Sequence, residues 1–156
     1  MTEDILNIRI LYVDDEENNL KSFHATFRRD FEIHTAVSVD DALIILQSND
    51  IHVLITDQRM PGKLGTDFLQ ISKAEFPLTT RLLLTGYSDM EALTIAVNSG
   101  EIFRYLQKPW EMESLKKTIN ESYLVHKFKK EQLEKAEKLQ ITNEQLEFML
   151  RQKLIS

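Results

Sequence analysis

IHVLITDQRMPG, residues 51–62, decides how the rest of the chain is read. Ile51, Val53, Leu54 and Ile55 form a short apolar run bounded by turn residues, the signature of a buried strand. That run finishes on Asp57, and Pro61-Gly62 then turn the chain. A buried strand that ends on a carboxylate points to something held at its carboxyl end.

Working outward, short β-branched or apolar runs alternate with longer amphipathic ones, as expected of βα units around a parallel sheet. Strands are predicted over 8–13 (IRILYV), 32–36 (EIHTA), 51–56 (IHVLIT), 80–85 (TRLLLT) and 103–106 (FRYL). Leu20, Phe23, His24 and Phe27 follow i, i+3, i+4, i+7 spacing, which predicts a first helix. Ala42, Leu43, Ile45 and Leu46 mark a second, with Ser38 or Asp40 as its N-cap. Phe68, Leu69 and Ile71 belong to a third; a fourth carries Met90, Leu93, Ile95, Ala96 and Val97 and stops at Gly100. These elements make a small α/β domain over residues 1–125.

A fifth helical pattern starts near Glu111 and meets no glycine or proline through Ser156. At about 1.5 Å per residue it would run on the order of 65 Å, longer than such a domain is wide, so its far half is expected to project. Met112, Leu115, Ile119 and Tyr123 are placed to face the core. From Lys127 charges dominate, with Glu131/Lys135 and Glu134/Lys138 at i, i+4. Ala136, Asn143 and Leu150 fall seven apart, as do Leu139 and Leu146. Residues 126–156 thus read as a helical linker, either a two-stranded coiled coil with Asn143 at an a position or a single solvated helix; Leu133 is out of phase.

In a parallel α/β sheet, ligands bind beyond the carboxyl ends of the strands. Strand one ends in Asp14-Asp15, strand three in Asp57 and strand four in Thr85-Gly86, and strand five leads into Lys108-Pro109. Singly, the acids would suit N-caps or an Asx turn and Lys108 a solvated surface; jointly they define one rim. Clustered carboxylates resist ionisation unless a cation neutralises them. All-oxygen ligands favour a hard ion such as Mg²⁺. Lys108 adds a fixed positive charge and Thr85 a hydroxyl, so the rim suits a phosphoryl group carried on Asp57. Gly62, Gly65 and Gly86 lie in the loops beside it, where backbone bends close to a ligand. Pro109 is a candidate cis peptide, although trans is the default.

LYVDDEEN (11–18), ITDQRMPGKLG (55–65), LLTGYSD (83–89) and YLQKPW (105–110) resemble the receiver domain of two-component response regulators, over about residues 7–125. The resemblance implies a flavodoxin-like, doubly wound (βα)₅ sheet in order 2-1-3-4-5 and transfer of a phosphoryl group from a histidine kinase or phosphotransfer protein to Asp57. It implies Mg²⁺ held by Asp15, Asp57 and the backbone carbonyl of Arg59, with Asp14 acting through water. Lys108 and Thr85 would contact the phosphoryl oxygens, and Thr85 and Tyr105 would form the switch pair that alters the face of helix four, strand five and helix five. Arg59 and Tyr87 flank the path of an attacking water and would set how long the phosphoryl group lasts. The competing reading is a Mg²⁺-dependent phosphohydrolase with an aspartyl-phosphate intermediate; the general acid it needs two residues after Asp57 is replaced by Arg59.

Composition narrows the setting. With 42% hydrophobic residues in 156, one core is expected; no apolar stretch reaches membrane-spanning length, and MTEDILNIRI is no signal peptide. The chain is therefore expected to be free of membrane and unprocessed. Absence of cysteine suits a cytoplasmic protein, and a net charge of −6 without a basic stripe argues against direct nucleic-acid binding by this segment. SGEIFRYLQKPW before a long charged helix is similar to receivers that precede larger outputs. The uncapped helix end favours a receiver cut with its linker from a longer protein over a stand-alone one, with homodimerisation through the helix as the associated expectation.

Overall fold

The computed structural model describes residues 7–86 and 90–155. Five parallel strands, β1 (Arg9–Val13), β2 (Glu32–Ala36), β3 (Val53–Asp57), β6 (Thr80–Thr85) and β7 (Arg104–Gln107), form one sheet in the order β2-β1-β3-β6-β7. Counting only these strands, that is the predicted order 2-1-3-4-5. Helices α1 (Glu17–Phe27), α2 (Val39–Ser48), α3 (Gly65–Glu75), α4 (Met90–Asn98) and α5 (Met112–Ile155) follow the strands.

Side-chain alternation assigns the helices to faces. Ile10, Tyr12, Val53, Ile55, Leu82 and Leu84 point to one side, where they pack with Leu20, Phe23 and Phe27 of α1 and Leu115 and Ile119 of α5. Leu11, Val13, Leu54 and Leu83 point to the other, against Ala42 and Leu46 of α2, Phe68 and Leu69 of α3, and Leu93 and Ala96 of α4. All five residues of β3 are buried, so Val53–Asp57 is a central strand with a core on both sides, as β6 is too.

Local chemistry explains the helix starts. Ser38 caps α2, its hydroxyl accepting from the Asp41 amide at 3.1 Å, so Asp40 is not the cap. Glu16, not Asp14 or Asp15, occupies the cap position of α1. At α5 the Glu111 carboxylate accepts from the amides of Glu113 (2.9 Å) and Ser114 (3.3 Å). Gly100, with φ of 78°, follows the end of α4.

A two-stranded antiparallel ribbon, β4 (Arg59–Met60) with β5 (Lys63–Leu64), was not expected. Pro61 and Gly62 form its tip, and Gly62 has a φ of 84°, the conformation a type II turn requires at its third residue. The ribbon returns the chain so closely that a Cβ on Gly65 would collide with the Asp57 carbonyl oxygen and reach Gln58 Cα and Leu83 Cδ1 at 3.0 Å. Gly65→Ala is accordingly expected to cost about 1–3 kcal/mol of stability through overpacking, read as a lower urea midpoint. An unchanged midpoint would show that the α3 start yields freely.

One expectation on burial is corrected. Met112 is exposed rather than core-facing, because Leu115 and Ile119 already fill the apolar stripe of α5. His52 and His126 are buried, with ring centroids 4.8 Å apart. Their polarity is satisfied locally: the Arg9 amide donates to His52 Nδ1 at 2.9 Å, and His126 Nδ1 donates to the Leu78 carbonyl at 2.7 Å.

The chain separates into two compact units, Met1–His126 and Lys127–Ser156. Within the second, the described side chains are almost all exposed, including Leu139, Leu146 and Leu150. Among the described residues no helix is long and apolar enough to cross a membrane.

Candidate functional site

Strand register brings the acids together. Val13 pairs with Thr56, so Asp14 and Asp57, one residue further on, lie side by side at the carboxyl edge. Asp57 in turn pairs with Leu84, and Thr85 with Gln107, which sets Thr85 and Lys108 on the flank of Asp57. The Lys108 amide donates to the Thr85 carbonyl at 2.8 Å, fixing the loop that carries the lysine. Carboxylate oxygens of Asp14, Asp15 and Asp57 all come within 4.8 Å of one another.

Lys108 Nζ bridges two of them, donating to Asp14 Oδ2 at 3.2 Å and contacting Asp57 Oδ1 at 3.1 Å. Asp14 is fully buried and heavily solvated by protein: the Glu16 amide donates to Oδ1 (3.0 Å), and Tyr12 Oη (2.7 Å) and Asn19 Nδ2 (3.1 Å) donate to Oδ2. Asp15 is exposed, and Asp57 is 9% accessible.

These environments push two adjacent carboxyls apart. For Asp14, burial raises the pKa, but the Glu16 amide, the Tyr12 hydroxyl and Lys108 together outweigh it and hold the group below the usual carboxylate range. Asp57 is raised: burial dominates, Lys108 opposes it, and the charges of Asp14 and Asp15 add to it. Burial lowers Lys108, yet Asp57 and Asp14 more than compensate and keep it firmly protonated. Tyr12 is pushed up by burial and by Asp14, so its hydroxyl remains a donor. Three carboxylates against one ammonium leave two negative charges, and the three ligand atoms grouped there are all carboxylate oxygens. That balance fits a hard divalent cation.

The rim has a cleft on either side. One of about 390 Å³ is lined by Asp15, Ser38, Val39, Met60, Pro61 and Lys63. The other, about 470 Å³, lies among Tyr12, Asn19, Ser22, Lys108, Pro109 and Trp110. The Lys108–Pro109 peptide is cis. Trp110 packs on Phe27 (5.4 Å between centroids) and edge-on to Phe23 (6.1 Å), which anchors the lysine-bearing loop on α1.

Of the remaining expected site residues, Thr85 is buried at the end of β6. Tyr105 is half-buried on edge strand β7, beside Leu83, and packs on the cluster that includes Leu93, Ala96 and Ile102. Arg59 opens β4 with its side chain exposed. Tyr87 lies outside the described residues. Sequence reasoning missed Tyr12, Asn19 and Gln58. Tyr12 stands two residues before Asp14, hence on the same side of extended chain, a signal that was readable. Gln58 Oε1 accepts from the Thr66 amide at 3.0 Å and so caps α3 from the residue next to Asp57.

A doubly wound parallel sheet in the order β2-β1-β3-β6-β7, with an acidic cluster and a lysine at its carboxyl edge, places the chain among the flavodoxin-like α/β domains. The model for the response regulator receiver domain matches residues 10–120, and the chain belongs to that family. Among similar proteins is the hydrogenase transcriptional regulatory protein HoxA of Bradyrhizobium diazoefficiens, 32% identical over 122 residues, covering 78% of this chain and 25% of that protein. HoxA of Cupriavidus necator is 33% identical over 113 residues, covering 72% and 23%. The chain thus spans about a quarter of the length of these relatives. Among solved structures, one described as an adenylate cyclase from Rhodopirellula baltica superposes with a TM-score of 0.81 at 35% identity, covering 85% of this chain and 99% of that one. The receiver domain of an HD domain-containing protein from Pseudomonas fluorescens gives 0.75 at 30%, covering 80% and 93%.

Proposed function

We propose that this receiver domain takes a phosphoryl group onto Asp57 from the phosphohistidine of a sensor kinase or phosphotransfer protein, and acts as a cytoplasmic switch rather than as an enzyme turning over a substrate. The observation that carries this reading is the pairing of Asp57 with Lys108 at 3.1 Å inside a three-carboxylate cluster. An Asp57 oxygen attacks phosphorus as the P–N bond to the donor imidazole breaks, and Lys108 meets the charge on the transferring oxygens. Asp14, Asp15, Asp57 and the Arg59 carbonyl are the groups that would hold Mg²⁺, which supplies further neutralisation of phosphoryl charge when bound. Thr85 donates to the phosphoryl group afterwards; its movement frees space that Tyr105 fills from the neighbouring strand. Residues 126–156 serve as the linker to an output or partner and pair with a second copy of the chain. No specific observation favours the phosphohydrolase alternative.

Intact-mass analysis with Mg²⁺ and a small acyl phosphate tests this. One phosphoryl gain is expected, abolished by chelation and mapped by peptide mass to Asp57; a label on any other residue overturns the assignment.

Two further outcomes follow from the site's charges. Because Asp57 is raised, protons compete with Mg²⁺ at higher pH than for an ordinary carboxylate. Affinity, followed by fluorescence of the single Trp110, is expected to weaken as pH falls through the raised carboxyl range of Asp57, above that of an ordinary aspartate, and Asp57→Asn to flatten that dependence. A pH-independent affinity in the wild type would count against Asp57 as a ligand. Arg59→Ala is expected to change the half-life of phosphorylated protein, since its exposed cationic side chain stands two residues from the acceptor. Equal decay in both proteins would remove that role.

A further inference from the structure

We infer that Tyr12 and Asn19 are positioning residues for phosphoryl transfer: they pin one oxygen of Asp14, and that oxygen holds the Lys108 ammonium in place while Asp57 reacts. The inference rests on the phosphoacceptor reading above and adds two residues that act through others. Donors are shared unevenly between the oxygens of Asp14. Oδ1 accepts from the Glu16 amide at 3.0 Å, whereas Oδ2 accepts from Tyr12 Oη at 2.7 Å, Asn19 Nδ2 at 3.1 Å and Lys108 Nζ at 3.2 Å. A carboxylate oxygen has two lone pairs, so Oδ2 is saturated while Oδ1 keeps room for a further donor.

That division matters because of what Lys108 is. Its ammonium is a point charge on a flexible four-carbon stem, so its anchors decide where it stands. The acidic anchors are Asp57 Oδ1 at 3.1 Å and Asp14 Oδ2 at 3.2 Å. Asp57 is the reacting group: as one of its oxygens bonds to phosphorus, the carboxylate charge that attracts the ammonium passes to the phosphoryl oxygens. Asp14 Oδ2 is the acidic anchor that the reaction leaves unchanged. Tyr12 and Asn19 reach it from β1 and α1, two elements of the rigid core. The Tyr12 ring lies 4.5 Å from that of Phe23, and Trp110, two residues after Lys108, packs edge-on to the same Phe23 at 6.1 Å. Donor and lysine loop therefore share one aromatic mount. The neighbouring cleft of about 470 Å³, lined by Asn19, Ser22 and Trp110 as well as Lys108, gives an unpinned ammonium somewhere to swing.

The test is a mutant cycle on the full chain, with saturating Mg²⁺ and a small acyl phosphate. Tyr12→Phe keeps the ring that packs on Phe23 and removes only the hydroxyl. It is expected to slow phosphorylation of Asp57 about 10-fold, as when the partner of a ligand-holding group is lost. In a Lys108→Met background the same substitution is expected to add nothing, because the group it positions is gone. Asn19→Ala, at the half-buried start of α1, is expected to act in the same direction with the same dependence on Lys108. A second measurement needs neither metal nor donor. The Lys108 ammonium, identified by its loss in Lys108→Met, is expected to give a resolved ¹H–¹⁵N signal in the wild type that broadens away in Tyr12→Phe. A wild-type rate in either variant removes that residue's role. Equal slowing with and without Lys108, or an ammonium signal that is absent from the wild type or unchanged in Tyr12→Phe, overturns the inference. Failure of the phosphoacceptor reading shows differently, as wild-type protein without label on Asp57, and the ammonium signal still reports whether Lys108 is pinned.

Discussion

Asp57→Asn is expected to reduce phosphoryl incorporation from an acyl phosphate to background while raising the denaturant midpoint in metal-free buffer. Both outcomes come from one carboxylate. The amide lacks the negative oxygen that attacks phosphorus, and no other described carboxylate pairs with Lys108 at so open a position: Asp14 is fully buried beneath four donors. On stability the sign runs opposite to that of an ordinary ion pair. Burial and the neighbouring acids raise the Asp57 pKa above its unfolded value, so the protonated form stabilises the fold below the ordinary carboxyl range. That contribution is lost as pH rises through the raised value, and at neutral pH the ionised group is a net cost. Asparagine imitates the protonated form and removes the cost. Mg²⁺ should then raise the midpoint of the wild type more than that of the variant, because it binds the native acidic site. Retained labelling in Asp57→Asn would displace the acceptor; a lowered metal-free midpoint would show that the Lys108 bond outweighs the repulsion.

The acids were legible because topology turns strand ends into a site, and each of Asp14, Asp57, Thr85 and Lys108 terminates or follows a run that is apolar by inspection. Periodicity identified five strands and their helices, but their lateral order entered through the family resemblance: nothing in a βα repeat says which strand lies beside which. Register then did what spacing could not. Val13 opposite Thr56 is the reason that residues 14 and 57 are neighbours.

What escaped the sequence was small, or polar and satisfied. Strands β4 and β5 have two residues each, too short to show a period, and only the Pro61-Gly62 pair marked them. The burial of His52 and His126 follows no apolar pattern, because it depends on partners far away in the chain, the amide of Arg9 and the carbonyl of Leu78. Tyr12 passed as one more strand aromatic; its ring does join Phe23 in the core, with centroids 4.5 Å apart, while its hydroxyl, after the Glu16 amide and together with Lys108, helps hold Asp14 ionised. A side chain with both functions leaves only the apolar one visible in a hydrophobic pattern.

The largest effect short of removing the acceptor is expected at Lys108. Lys108→Met should slow phosphorylation of Asp57 by roughly 10²–10³-fold, the loss typical of deleting one preorganised donor to developing negative charge. The fold should persist, since Asp14 keeps its bonds from Tyr12, Asn19 and the Glu16 amide, and Trp110 still holds the loop on Phe23 and Phe27. Mg²⁺ binding separates this role from a structural one. With the ammonium gone, three carboxylates share no internal cation, so a divalent ion should bind at least as tightly as in the wild type, by Trp110 fluorescence. Slow transfer with undiminished metal affinity assigns Lys108 to the charge on the transferring phosphoryl group. A parallel fall in both would mean that the lysine's main work is to hold Asp14 and Asp57 in place.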